Sequence, residues 1–214
     1  MTGPEVAIEI SPLALSVLEL LHERPMHPYE LAATMRARHH DEFIRLNFGS
    51  LYHTVDSLER DGWIVPVEKE KEGRRPERTI YRLTDAGRGV LLQVISQIVA
   101  QPRREYPHFA AGLMFMHHLP AEEAARLLEL RAQALQTLNT KLSQILDELL
   151  ASGHARLHVI ELEHKIAMHE DERRWVLKIA KEINSGKLEW KAGMHAGMHT
   201  GDEGLRRRHG SSAH

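Results

Sequence analysis

Residues Asn47–Gly87 read NFGSLYHTVDSLERDGWIVPVEKEKEGRRPERTIYRLTDAG. Phe48, Leu51, Val55 and Leu58 recur at helical spacing, which predicts a helix burying that face. Gly49, Ser50, His53, Thr54 and Ser57 are left on the other face, all small or hydrogen-bonding. A short, polar helix face can lie against base-pair edges in a major groove. Asp61-Gly62 is a helix stop. Two β-rich segments follow, Trp63 to Glu68 and Thr79 to Leu83, joined by the charged, glycine-containing tip Lys69 to Arg78. A helix and then a hairpin with a basic tip is the order of elements in a winged helix-turn-helix, which points to DNA as the partner.

The flanking segments fit that order. Pro12 to His22 places Leu13, Val17, Leu20 and Leu21 on one helical face, and His27 to His39 does the same with Tyr29, Leu31, Ala32 and Met35. Arg36 and Arg38 close the second helix, where cations favour the helix dipole. Asn47 and Thr84 are the expected N-caps of the helices that follow them. Thr84 to Gln101 continues as an exit helix with Val90, Leu91, Val94, Ile95, Ile98 and Val99 on its apolar side.

Four motifs in this order resemble the PadR family of bacterial transcription regulators. They are Gly49-Ser50-Leu51-Tyr52, the turn Leu58-Glu59-Arg60-Asp61-Gly62-Trp63-Ile64, Gly73-Arg74-Arg75 in the wing, and Tyr81-Arg82-Leu83-Thr84-Asp85-Ala86-Gly87. Pro28-Tyr29-Glu30-Leu31 looks like that family's second helix. The resemblance covers about the first half of the chain. It implies a dimeric, usually repressive winged-helix protein whose promoter occupancy responds to small ligands. The longer C-terminal half looks like the subgroup with a helical dimerisation domain.

Composition sets the bounds. The chain has 214 residues, 42% of them hydrophobic and 27% charged, as in ordinary globular domains. No run of about 18 apolar residues occurs, so no membrane span is expected. The start MTGPEVAIEIS lacks the basic and apolar regions of a signal peptide, and a cytoplasmic location is expected. Cysteine is absent, which excludes disulfides and thiol chemistry. There is no Gly-x-Ser-x-Gly and no phosphate-binding glycine loop, so no enzyme and no cofactor is expected.

The net charge of −2 does not by itself indicate nucleic acid; local arrangement decides. Lys71, Arg74, Arg75 and Arg78 concentrate in the wing, interleaved with Glu68, Glu70, Glu72 and Glu77. Apart from its neighbours, that pattern is a solvated hairpin. Beside this helix order, Arg74 and Arg75 are expected to reach phosphates or the adjacent minor groove. On the preceding helix, Ser50 and Tyr52 suit phosphate contact, and His53, Thr54 and Ser57 suit base edges. Partial burial of Tyr52 against the wing, and an unengaged His53, are the competing readings.

The second half reads as two long helices. From Pro120, Leu128, Leu135, Leu142 and Leu149 recur every seven residues, with Leu138 and Ile145 between them. From Ala155, Val159, Leu162, Ile166, Val176, Ala180 and Ile183 make a second seam. Ser152-Gly153 makes them an antiparallel pair. Ile160, Met168, Trp175 and Ile179 form another stripe on the second helix, which needs the exit helix or a second copy of the chain as partner. The expected class is mainly α with a small two-stranded wing (α+β): a winged helix-turn-helix over residues 1–104, a helical dimerisation and effector domain over 105–186, and a disordered tail over 187–214. The expected partners are double-stranded operator DNA, a second copy in a homodimer, and a small hydrophobic or aromatic effector.

His169 and Arg173 interrupt the second seam. They either fix register, or form an effector site for an anionic aromatic molecule with Met168 and Trp175, or, for Arg173, merely snorkel to the edge. Methionine-rich His108 to His118, with Met114, would meet the second helix there. The 16 histidines raise metal binding, at His39-His40, His117-His118, His154 with His158, Glu161 with His164, and the tail segment GMHAGMHTG. None has the spacing of a structural zinc site, and no metal is expected. A metal-responsive regulator, or a winged helix used for protein contacts, are the alternative functions.

Overall fold

The computed structural model of the protein describes residues 8–70 and 78–190, with the backbone alone at 68–70 and 78. These residues fall into two compact units that divide between Arg104 and Glu105.

In the first unit, α1 (Pro12–Glu23) starts at Ser11, whose Oγ accepts from the Ala14 amide at 3.1 Å. Leu13, Ala14, Val17, Leu18, Leu20 and Leu21 are all buried, so α1 is the central strut of the core. Truncating Leu18 to Ala would cost about 2–5 kcal/mol. The next helix, α2 (Pro28–Ala37), opens with a reciprocal cap: the His27 ring Nδ1 accepts from the Tyr29 and Glu30 amides, and Glu30 Oε2 accepts from the His27 amide. At its end Arg38 forks onto Glu23 of α1 at 2.5 and 2.8 Å. Glu19, one turn earlier on α1, lies 4.0 Å from the same guanidinium. Burial and the Glu23 carboxylate push Glu19 up to about 7.

Asn47 caps α3 (Phe48–Arg60), its Oδ1 accepting from the Ser50 amide at 2.7 Å. Gly62, at φ 74°, ends the helix in the left-handed region that a side chain would disfavour. Its amide returns to Glu59 O, and the Trp63 amide to Leu58 O. The chain then forms the antiparallel pair β1 (Ile64–Glu70) and β2 (Arg78–Leu83), with Ile64 opposite Leu83. The register slips between Pro66 and Glu68, a bulge where proline has no amide to give. Met26 joins Tyr81 of β2 through two backbone hydrogen bonds.

The last helix of this unit, α4 (Asp85–Ala100), is capped by Thr84, whose Oγ1 accepts from the Gly87 amide at 3.0 Å. Thr84 also sends its amide and its hydroxyl to the Trp63 carbonyl, each at 3.0 Å. Gly87 is needed for this approach: a Cβ there would stand 2.1 Å from Trp63 O. The strand-and-turn segment is thereby fixed to α4. Leu91 and Val94 of α4 are buried, while Leu92, Ile95, Ile98 and Val99 are exposed.

In the second unit a short helix, α5 (His108–Phe115), precedes the long antiparallel pair α6 (Ala121–Ala151) and α7 (Ile160–Asn184). The α6 end closes like that of α3: the Gly153 amide returns to Leu150 O and the His154 amide to Leu149 O. The core has two parts. Ala124, Ala125, Leu128 and Ala132 meet Val176, Ala180 and Ile183 at one end, and Leu142 and Ile145 meet Val159 and Leu162 at the other. Between them the buried Asn139 accepts from His169 Nδ1 at 3.0 Å and donates to Ile166 O at 3.2 Å. Burial holds the His169 pKa below its ordinary value.

Four expectations change. Phe48 and Tyr29, placed on buried faces by spacing, are 43% and 59% exposed, because they stack on each other at the rim of α2 and α3. Leu138, placed in the seam of α6 by spacing, is 47% exposed. His154 and His158, whose spacing of four would pair them on one helix, do not share one, since a 3₁₀ turn, Arg156–His158, precedes α7. Residues 187–190 are not part of a loose tail: Trp190 Nε1 donates to Leu119 O at 2.9 Å and its ring joins the α6–α7 core.

Candidate nucleic-acid interface

Leu51, Val55 and Leu58 turn α3 inward, which fixes what it shows outward. Gly49, Ser50, Tyr52, His53, Asp56 and Arg60 are exposed along the helix. Thr54 and Ser57 are half-buried and line an open cleft of about 230 Å³ with Ser11, Asp61 and Trp63. Gly49, His53, Asp56 and Arg60 therefore share the outward side. Ser50 lies on the flank of Thr54 and Ser57, and Tyr52, two residues from Ser50, on the opposite flank. His53 also borders the cleft. Ser57 Oγ accepts from Arg60 Nη2 at 2.9 Å. Spacing alone could have found Arg60 and Asp56, which lie seven and three residues beyond His53 on the same side.

The amino terminus of α3 leaves backbone amides without a partner inside the helix. The helix is 13 residues long and has no acidic residue in its first turn. Asn47 engages the Ser50 amide, while the Phe48 and Gly49 amides precede the first intrahelical donor, that of Leu51. Among the described residues a Cβ on Gly49 would meet only Asn47 Oδ1, at 3.7 Å, so none of them demands glycine there. Lys71, Arg74 and Arg75 lie outside the described residues, and Arg78 is placed by its backbone, opposite Glu70 at the outer end of β2.

Residues 17–93 match the family model described as Transcriptional regulator PadR-like family. That stretch is similar to a PadR-like domain. The fold extends beyond the domain, as solved structures show. Bacillus subtilis PadR in complex with operator DNA matches with a TM-score of 0.67 at 18% identity, over 81% of this chain and 99% of that one. The same protein in complex with p-coumaric acid gives 0.66 at 18%, over 80% and 98%. The Vibrio cholerae virulence activator AphA gives 0.64 at 20%, over 81% and 98%. No curated protein matches the sequence. Beside the PadR-like domain, the α6–α7 pair thus belongs to the same overall fold.

The residues expected to hold an effector are only partly together. Met168 and Trp175, seven apart on α7, share an exposed face. Trp175 meets Phe109 of α5 edge to face, centroids 6.5 Å apart, and the Arg131 guanidinium of α6 lies 3.6 Å from the Phe109 centroid. Arg131 also pairs with Glu172. His169 faces Asn139 instead, and Arg173, two residues from Trp175 and so on another face, forks onto Glu170 at 2.8 Å. Met114 is exposed on α5. Phe109 and Arg131 were missed because they lie on different helices from Trp175. Among the described residues no three histidine or carboxylate side chains come together as a metal site. The tail histidines of GMHAGMHTG lie outside the described residues.

Proposed function

We propose that the protein is a homodimeric, sequence-specific DNA-binding regulator of transcription, acting in the cytoplasm as a repressor relieved by a small aromatic effector. The exposed α3 surface carries this reading: Ser50, Tyr52 and His53 are exposed in the first half of a helix whose first amides lack intrahelical partners, within residues that match a PadR-like model. Tyr52 and Ser50 take phosphates, His53 reads a base edge, and Thr54 and Ser57 meet the groove wall. Lys71, Arg74, Arg75 and Arg78 take the flanking backbone. The operator complex of B. subtilis PadR supports the DNA partner by likeness of fold. The sense of regulation is taken from the resemblance, since a fold shared with an activator serves both senses.

The second copy is proposed to cover apolar residues that α6 and α7 leave exposed, Leu127, Leu130, Leu138, Met168 and Trp175. The effector is placed at Phe109, Arg131 and Trp175, with Met168 and Met114 as pliable neighbours; an aromatic ring and a guanidinium suit an aromatic carboxylate. The p-coumaric acid complex of B. subtilis PadR supports that ligand class. No helix among the described residues is long and apolar enough to cross a membrane.

Selection from a randomised duplex library with the full chain tests the reading. A two-fold symmetric motif should emerge, its half-sites about one helical turn apart. Loss of that binding on adding p-coumarate would support the effector. Absence of sequence enrichment would refute the DNA function.

A further inference from the structure

Phe48 is a large apolar side chain at the first position of α3, 43% exposed, where a polar residue would cost nothing in core packing. Its ring is nevertheless held in place. Tyr29 stacks on it with centroids 6.3 Å apart and planes inclined by 16°, and the Arg36 guanidinium lies 4.9 Å from its centroid. Tyr29 and Arg36 stand two turns apart on α2, and both are exposed. The outcome is an ordered, exposed ridge of two rings and a cation, with the exposed Tyr52 one turn further along α3.

We propose that this ridge reads thymine. The Phe48 ring packs against the 5-methyl group of a thymine in the major groove, and Arg36, held on the ring, takes the adjacent phosphate. The inference rests on the DNA-binding function above. Three observations favour DNA as the occupant. The ridge adjoins the exposed start of α3, where the helix terminus favours phosphate. Its cation is already stacked and so loses little freedom on binding. In the major groove only thymine presents a methyl group, and phenylalanine is a side chain suited to it. An effector or protein partner would want a concave or wider apolar surface than a convex ridge of two rings and a cation.

The test uses the full chain and the duplex recovered by selection, with each thymine replaced in turn by deoxyuridine, which removes only the methyl group. Binding is followed by fluorescence anisotropy. For the unaltered protein, one position per half-site should weaken binding about four-fold, the value of one buried methyl. With Phe48→Ala the same replacement should have no effect at that position. Phe48→Leu, which keeps an apolar contact with α2, should fold normally and show a reduced methyl effect. Arg36→Gln should flatten the salt dependence by about one ion while retaining the methyl effect. If deoxyuridine costs Phe48→Ala and the unaltered protein the same at every position, or costs neither anything, thymine reading by Phe48 is overturned while the DNA function stands. If selection yields no motif at all, the DNA function itself fails.

Discussion

Replacing Gly87 with Ala should separate the wing from the helix behind it. The added Cβ would stand 2.1 Å from Trp63 O, 2.8 Å from Leu83 Cδ1 and 2.9 Å from Trp63 C, whereas real contacts stay beyond 3.0 Å. The nearest atoms are backbone, so α4 and the Trp63 segment must part by about 1 Å. That movement strains the two hydrogen bonds by which Thr84 holds Trp63 O, about 1 kcal/mol each. Overpacking adds about 1–3 kcal/mol. Alanine returns about 1 kcal/mol through its better helix propensity. The net expectation is a loss of about 2–4 kcal/mol. Gly89→Ala is the control, because its Cβ would meet nothing within 4 Å and should gain up to about 1 kcal/mol. Urea unfolding of both full-length variants, followed by circular dichroism, reads the difference. If the two variants shift stability in the same direction, the close approach at Trp63 does not hold the wing.

Three further outcomes follow from the geometry. Gly49→Ala should leave the fold as stable or stabler by about 0.5 kcal/mol, yet weaken DNA binding about ten-fold or more by blocking a phosphate at the helix terminus; unchanged affinity would show that no backbone approaches there. Glu19 is raised to about 7, so it takes up a proton on folding; its stability contribution is complete below the ordinary carboxylate value of 4.5 and is lost as pH rises through 7. With the side chain 43% exposed, screening reduces the effect to about 1–2 kcal/mol, and Glu19→Gln should be stabler by that amount at pH 8 and not at pH 4.5; parallel pH profiles for the two proteins would contradict this. Asn139→Ala should cost about 1–3 kcal/mol by leaving His169 Nδ1 without its acceptor, and a thermal melt indistinguishable from the unaltered protein would show that the polar layer contributes nothing.

The parts of this fold legible in the sequence are those fixed by local chemistry. Asn47, Asp61-Gly62 and Thr84 were recognisable as caps and stops because a cap is satisfied within three or four residues. The heptads of α6 and α7 were legible because each helix carries its own period. Features that depend on a distant partner were not. Periodicity placed Phe48 and Tyr29 on apolar faces, but it cannot separate core from rim; that took the stacking of one helix on another. His169 looked like a break in a seam, and its meaning came from Asn139, 30 residues away on α6. Trp190 was placed in a tail because its acceptor, Leu119 O, lies 71 residues earlier. At the candidate interface, spacing identified the outward positions of α3, whereas the half-burial of Thr54 and Ser57 came from the cleft beside Trp63.

The central claim is that the exposed start of α3 reads sequence. The most direct measurement is the ratio of affinities for the selected duplex and a scrambled duplex of equal length, at one salt concentration near 150 mM, for the unaltered chain and for a His53→Ala variant. The unaltered protein should prefer the selected duplex by about 10³-fold or more. The variant should lose about ten-fold or more of that preference while keeping its affinity for scrambled DNA to within a few-fold. Equal affinity of the unaltered protein for both duplexes, or a variant with undiminished preference, would contradict it.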